Sequence, residues 1–273
     1  MSFFHSKFFQ NRTGTVRKTV VGTILKTIIG TIIGMMAGLA LIFILFVTAF
    51  EIACYSDYGF YEKEYKKYDV NNEHSIVNME MDELMRVTKE MMSYLRGDRE
   101  NLVIYAQIDG TEKEMFNEID KSHMADVREL FTGALALRRI CICIFAFCCL
   151  LLIVASNVRY ALMFLCSKIQ FCIGTLWILL FFIVIAAYIN FNAVFTAMHL
   201  LLFDNDNWLL DPDISRLINI LPEGFFMDMG VRIAVLFVII NIIIFFLCFL
   251  GKRGMIKRRK NKLKISGGTY EQG

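Results

Sequence analysis

Proline is scarce in this chain. There are two, Pro212 and Pro222, both in one late loop, so the strongest helix breaker is concentrated at a single turn. Histidine is nearly as rare, with His5, His74, His123 and His199, so any imidazole chemistry falls to very few residues. Residues 1–27 contain no acid at all, against Lys7, Arg12, Arg17, Lys18 and Lys26. Motifs are missing too. No Gly-x-Ser-x-Gly elbow and no P-loop can be found, so neither the serine-hydrolase nucleophile nor the nucleotide phosphate cradle is present in its usual form. The eight cysteines offer no disulfide framework. Cys141, Cys143, Cys148, Cys149, Cys166, Cys172 and Cys248 lie in or beside apolar runs, where cysteine acts as a small hydrophobe. Cys141-x-Cys143 and Cys148-Cys149 leave a soft-metal reading open, and Cys54 has no obvious partner.

Long hydrophobic runs are what the chain does have. It is 56% hydrophobic over 273 residues, with a mean hydropathy of +0.52. A hydrocarbon core of roughly 30 Å is crossed by about 20 apolar residues in a helix. Ile28–Ile52, Phe171–Phe203 and Val231–Leu250 meet that length easily, and Ile140–Ser156 is a shorter fourth run. A soluble fold would have to bury helices with almost no polar face. The first run is longer than a signal-peptide core and is expected to stay as a span.

Charge orders these spans. The acid-free start and the tail, with Lys252, Arg253, Lys257, Arg258, Arg259, Lys260, Lys262 and Lys264, belong in the cytoplasm by the positive-inside rule. The tail reads as an anchor on anionic lipid rather than a nucleic-acid binder. Residues 54–131 are strongly acidic. So is the loop 204–228, with Asp204, Asp206, Asp211, Asp213, Glu223 and Asp228 against Arg216. Both are expected outside, with Trp208 as an interfacial anchor. The resulting map is a cytoplasmic N-terminus at 1–27, a span at 28–53, a cap at 54–131, a span at 138–158, a span with an outer extension at 171–203, an outer loop at 204–228, a span at 229–250 and a cytoplasmic tail at 251–273.

Within the cap, Tyr55, Tyr58, Tyr61, Tyr65 and Tyr68 suit a headgroup boundary. Leu84, Val87, Met91 and Met92 form a helical stripe over Met81–Tyr94. Arg96-Gly97-Asp98 reads as the turn after it rather than an adhesion tripeptide. Leu102–Ile108 is strand-like, Asp109-Gly110 is a hairpin turn signal, and Thr111–Phe116 is the return strand. A further helix starts near Asp120–Ser122. The fold class is membrane all-α, with four transmembrane helices and a small extracytoplasmic α+β cap between spans 1 and 2. Gly30-x-x-x-Gly34-x-x-x-Gly38 puts small residues on one stripe of the first span. That favours close approach of a neighbouring helix of the same chain, with dimerisation as the alternative.

The candidate chemistry lies between His123 and His199, both placed at the outer boundary. Histidine is suited to proton transfer near neutral pH. Asp126, three residues on from His123, could orient its ring or hold a cation. Arg138 and Arg139 could stabilise an oxyanion or meet a headgroup. A metal site from His123, Asp126 and His199 has acceptable ligand types but no tight His-x-x-x-His pair, and no metal is assigned.

Three blocks carry a resemblance. The first is Tyr65-Lys-Lys-Tyr68-Asp69-Val70, then Glu83-Leu84 and Met92-Ser-Tyr94-Leu95-Arg96-Gly97. The second is Asp120-Lys-Ser-His123-Met124-Ala-Asp126-Val127. The third is Phe195 through His199 to Phe203, then Trp208, Asp211-Pro212-Asp213 and Leu221-Pro222-Glu223-Gly224-Phe225-Phe226. From about Glu51 to Leu250 the chain resembles the Lit-type lipoprotein intramolecular transacylases, four-span membrane proteins of low-GC Gram-positive bacteria. It departs in Asp120, where the family more usually has Glu, and in its long basic tail. The resemblance implies an acyltransferase that moves the sn-2 acyl chain of a diacylglyceryl lipoprotein to the α-amino group of its N-terminal cysteine. The product is the lyso form. His123 and His199 would be catalytic, with Asp126, Asp120 and Asp211 as polar support. No cofactor would be needed. The implied partners are diacylglyceryl-modified lipoproteins and membrane lipids, with no nucleic acid. A metal-dependent membrane hydrolase and a non-enzymatic sensor or assembly factor are the alternatives.

Overall fold

The computed structural model describes the backbone from Ser2 to Gly267 and the side chains of residues 22–257. The element order is α1 (Ser2–Tyr55), α2 (Gly59–Lys67), α3 (Met81–Arg96), β1 (Tyr105–Ile108), β2 (Thr111–Glu114), α4 (Glu118–Ala155), α5 (Val158–Ile189), α6 (Phe191–Leu202), α7 (Arg216–Ile220) and α8 (Glu223–Gly267). Among the described residues, α1, α4, α5 and α8 are long and apolar enough to cross a membrane. Only 11% to 33% of the most apolar window of each is buried inside the protein. Phe181 and Phe182 of α5, for example, stay more than 60% exposed. Apolar faces of that extent are stable in lipid and not in water.

The chain forms two compact units. One comprises Met1–Ile42, Cys141–Thr175 and Ile244–Gly273. Here α1 and α5 meet along the glycine stripe. A Cβ on Gly34 would come within 2.8 Å of Lys168 Cγ, and one on Gly38 within 2.6 Å of Cys172 Sγ. The stripe therefore serves packing within the chain, as expected. Gln170 of α5 reaches α8, donating from Nε2 to the Phe245 carbonyl at 3.2 Å and accepting from Lys252 Nζ at 2.9 Å.

The other unit comprises Phe43–Ile140 and Leu176–Ile243 and holds the cap. Its core gathers Tyr61, Tyr65, Leu84, Val87, Met91, Ile104, Ile108 and Phe116 with Leu217, Ile220 and Phe225. α3 buries its apolar stripe there and ends on Gly97, whose φ of 91° continues no right-handed helix. The hairpin pairs Tyr105 with Glu114 and Ile108 with Thr111. Its two-residue turn, Asp109-Gly110, has φ of 52° and 73°. Positive φ at both central positions is the type I′ turn that follows strand twist. Alternation puts Ala106 and Ile108 inside, with Tyr105 and Gln107 outside.

Three features depart from the sequence reading. Within the tyrosine stretch, Tyr61 and Tyr65 lie on α2, four residues apart on one face, and are 2% and 0% exposed. Their hydroxyls are satisfied by the Cys54 carbonyl at 3.0 Å and Thr88 Oγ1 at 2.8 Å, which makes a core position tolerable for a polar tip. α4 begins at Glu118, earlier than expected, because Asn117 caps it. Asp120 N–H donates to Asn117 Oδ1 at 2.8 Å and Asn117 N–H donates to Asp120 Oδ2 at 3.3 Å, a reciprocal capping box. The run expected as one helix from 171 to 203 is two. α5 already starts at Val158, and the chain breaks at Asn190, where φ is −155° and ψ is 92°. Asn190 Oδ1 accepts from Ala193 N–H at 2.9 Å and restarts the chain as α6.

Candidate active site

α4 and α6 bring the two histidines together. His123 lies in the second turn of α4 and His199 near the end of α6. Their ring centroids are 6.1 Å apart and the rings tilt by 33°. Exposure is 9% for His123 and 6% for His199, so a polar pair sits in a nearly closed cage. The walls are aromatic. Phe195 lies 4.3 Å from His199, Trp208 5.0 Å from it at an interplanar angle of 30°, and Phe203 contacts both rings at 5.4 and 5.7 Å.

Helical spacing sets the state of His199. Phe195 precedes it by four residues, and its carbonyl oxygen is 2.7 Å from His199 Nδ1. A carbonyl only accepts, so Nδ1 carries the hydrogen and donates. In the neutral ring Nε2 therefore holds the lone pair. His123 is held differently. Its Nδ1 is buried and has no hydrogen-bond partner. α4, at 38 residues, is ~57 Å long, far more than a bilayer needs. His123 sits well before its apolar run from Ile140, outside the spanning segment. Burial, together with the neighbouring His199, pushes the His123 imidazole down from 6.5 to about 4, against a smaller upward pull from Asp126. At neutral pH His123 is uncharged.

The segment after α6 folds over the pair and is pinned to α4. Asn205 Nδ2 donates to Asp126 Oδ2 at 3.0 Å, and Asn207 Nδ2 donates to Ser122 Oγ at 3.0 Å. These anchors flank His123 on its own helix. Asn205 Oδ1 accepts the Asn207 N–H at 2.9 Å, which shapes the loop between them. Asp126 thus holds the loop rather than hydrogen-bonding the ring of His123. Asp120 is fully buried and accepts from Ser215 Oγ at 2.5 Å. Ser215 Oγ in turn accepts from Ile218 N–H and caps α7. Asp120 therefore ties the start of α4 to the start of α7. Burial raises its carboxyl, and these hydrogen bonds oppose the rise. Asp211 shapes the turn before α7, its Oδ1 accepting from Asp213 N–H at 3.0 Å.

The arginines are elsewhere. Arg138 lies fifteen residues further along α4, ~22 Å from His123 by helical rise. Its Nη1 donates to Glu51 Oε2 at 2.7 Å, and Arg96 meets Glu51 Oε1 at 3.3 Å. Arg139 is exposed one residue on. Neither is brought to the histidine pair. Among the described residues no three His, Cys, Asp or Glu side chains converge as a set of metal ligands.

The sequence does not single out Asn205, Asn207 or Ser215, and it marks Ser122 only as a helix start. Their partners lie 79 to 95 residues away, and short polar residues in a loop carry no periodic signal. Trp208, expected as an interfacial anchor, also stacks on His199.

The sequence model of a family described as lipoprotein intramolecular transacylase Lit matches residues 35–226. Among solved structures, the membrane integral lipoprotein intramolecular transacylase Lit from Bacillus cereus superposes with a TM-score of 0.65 at 21% identity, covering 85% of this chain and 98% of that one. Two forms of the same Bacillus cereus protein with one histidine replaced, by arginine or by alanine, give TM-scores of 0.64 and 0.62 at 19% identity. They cover 89% and 88% of this chain and 99% of theirs. At these identities the structures speak for a shared fold. Curated proteins yield no sequence match.

Proposed function

Because this chain belongs to the lipoprotein intramolecular transacylase (Lit) family, we propose that it moves the sn-2 acyl chain of a diacylglyceryl lipoprotein onto the α-amino group of the cysteine carrying that glyceride. Membership makes it an acyltransferase of the membrane acting on lipoproteins. The choice of acyl position, acceptor and catalytic groups is our reading. The observation that carries it is the buried pair of histidines in an aromatic cage, one with its tautomer fixed by a backbone carbonyl.

The reaction exchanges an ester for an amide. The amine nitrogen attacks the ester carbonyl, the C=O electrons move to oxygen, and the nitrogen sheds a proton. Collapse then expels the glycerol oxygen, which gains one. Proton loss and gain balance within one turnover. We assign the proton transfer to His199, whose Nε2 lone pair is free of the Phe195 carbonyl. It takes the amine proton and returns it to the leaving oxygen. Such acid–base work contributes roughly 10²–10⁴-fold. His123 stays neutral, because two imidazolium charges 6.1 Å apart in a desolvated cage repel one another. It positions the amine or the glycerol oxygen by hydrogen bonding. Acceptor and donor share one substrate molecule. Holding them in contact supplies an effective molarity that reaches about 10⁵–10⁸ M in well-oriented cases.

The apolar walls suit acyl chains, and the charge distribution supports placing this site at the outer leaflet, with both basic ends inside. His123→Ala and His199→Ala are each expected to abolish lyso-form lipoprotein while the protein stays in the membrane. Mass spectrometry of lipoprotein N-termini, in a host without other N-acylation, reads this out. Unchanged lyso product in both variants would sink the assignment.

A further inference from the structure

Among the described residues, two buried side-chain polar atoms of this cage lack a hydrogen-bond partner, His123 Nδ1 and Trp208 Nε1. An indole N–H is a donor and nothing else. A buried donor without an acceptor is costly, and native proteins leave few of them without a purpose. The ring stacks on His199 with centroids 5.0 Å apart. The loop that carries it is fastened to α4 by Asn205 and Asn207 on either side of His123. The indole ring is therefore held against His199 before substrate arrives.

We infer that the Trp208 indole N–H hydrogen-bonds the acyl carbonyl oxygen and stabilises it as it becomes an oxyanion. This rests on the transacylase reading above. The group is neutral and gives up no proton. The negative charge that builds when the amine attacks stays on the acyl oxygen until the glycerol oxygen leaves. Preorganised donors in a dry site are suited to this task, since they need no reorganisation as the charge develops. The arginines expected from the sequence to serve here are ~22 Å along α4, and Arg138 is engaged by Glu51.

The test uses full-length enzyme in lipid with a synthetic diacylglyceryl-cysteine peptide, following N-acyl product by mass spectrometry. Trp208→Phe keeps an aromatic ring against His199 and removes the N–H. It is expected to lower kcat by about 10²–10³-fold, the usual loss for one oxyanion donor. Affinity for a phosphonate analogue of the tetrahedral intermediate should fall with it, while affinity for an ether analogue of the ground state stays at the wild-type value. Benzothienylalanine at position 208 retains the full bicyclic shape without the N–H and should behave the same way. Wild-type kcat in either variant would overturn the proposal and leave the transacylase reading standing. Equal weakening toward both analogues would also overturn it, since that marks a packing role. A wild-type enzyme that forms no N-acyl product would overturn the transacylase reading and this proposal together.

Discussion

His123 and His199 are held by different means, and the difference is measurable. The ring of His199 is locked by the Phe195 carbonyl, one turn back on its own helix. That of His123 is held by burial, with its imidazole near 4 rather than 6.5. The sign of the linkage follows. Between those two values the unfolded chain binds a proton at this position and the folded chain does not, so stability falls as pH is lowered through the window and levels off below it. The slope from one group approaches about 1.4 kcal/mol per pH unit. Thermal unfolding in detergent is expected to show wild type losing Tm between pH 6.5 and 4, with His123→Gln losing less. Parallel Tm curves for the two would refute the buried-neutral assignment. Asp126 and Asp120 each use the carboxylate to accept a distant donor, Asn205 or Ser215, and so tie α4 to the loop after α6 and to α7.

At the scale of elements, close approach of helices decides more than propensity does. α1 packs on α5 because Gly34 and Gly38 leave room for Lys168 and Cys172. Small residues on a stripe serve that purpose in membranes, where helix association relies on van der Waals contact rather than on water. Gly38→Ala would place a methyl group within 2.6 Å of Cys172 Sγ, and overpacking of this kind costs about 1–3 kcal/mol. Gly38→Ala should therefore lower Tm. Adding Cys172→Ala, which removes the sulfur, should restore most of the loss. A double variant no better than the single one would show that the stripe has another role. The break between α5 and α6 is a second device of this scale. Asn190 ends one helix and caps the next, so α6 carries His199 on a short helix of its own.

Across the whole molecule, four long apolar helices and a cap built on one hairpin make a multi-pass membrane protein. We propose that its basic ends lie inside and its acidic loop outside. Asp213→Cys should react with a membrane-impermeant maleimide in intact cells, and Lys252→Cys should react only after lysis. The reverse pattern would invert the topology and move the histidine pair to the inner face. The spans were legible because a run of apolar residues near the bilayer length has few alternatives. The hairpin was legible because Asp-Gly with positive φ at both positions is a local preference, and α3 because its stripe repeats with the helix. The glycine stripe was legible for a similar reason, spacing on one helix face. His123 and His199 stood out by rarity and by the family likeness of the blocks around them.

What sequence alone determined, then, are properties held within a few residues or set by the solvent: spans, turns, caps in outline and the two imidazoles. Tertiary structure decided the rest. It turned Tyr61 and Tyr65 into core, since only Thr88 and the Cys54 carbonyl, from elsewhere in the chain, make their hydroxyls tolerable inside. It set Arg138 apart from the histidine pair and put Trp208 against His199, because a helix of fixed rise carries the arginine away while a folded loop brings the indole back. It also brought the two rings to 6.1 Å, a distance between residues 76 positions apart that no local pattern encodes.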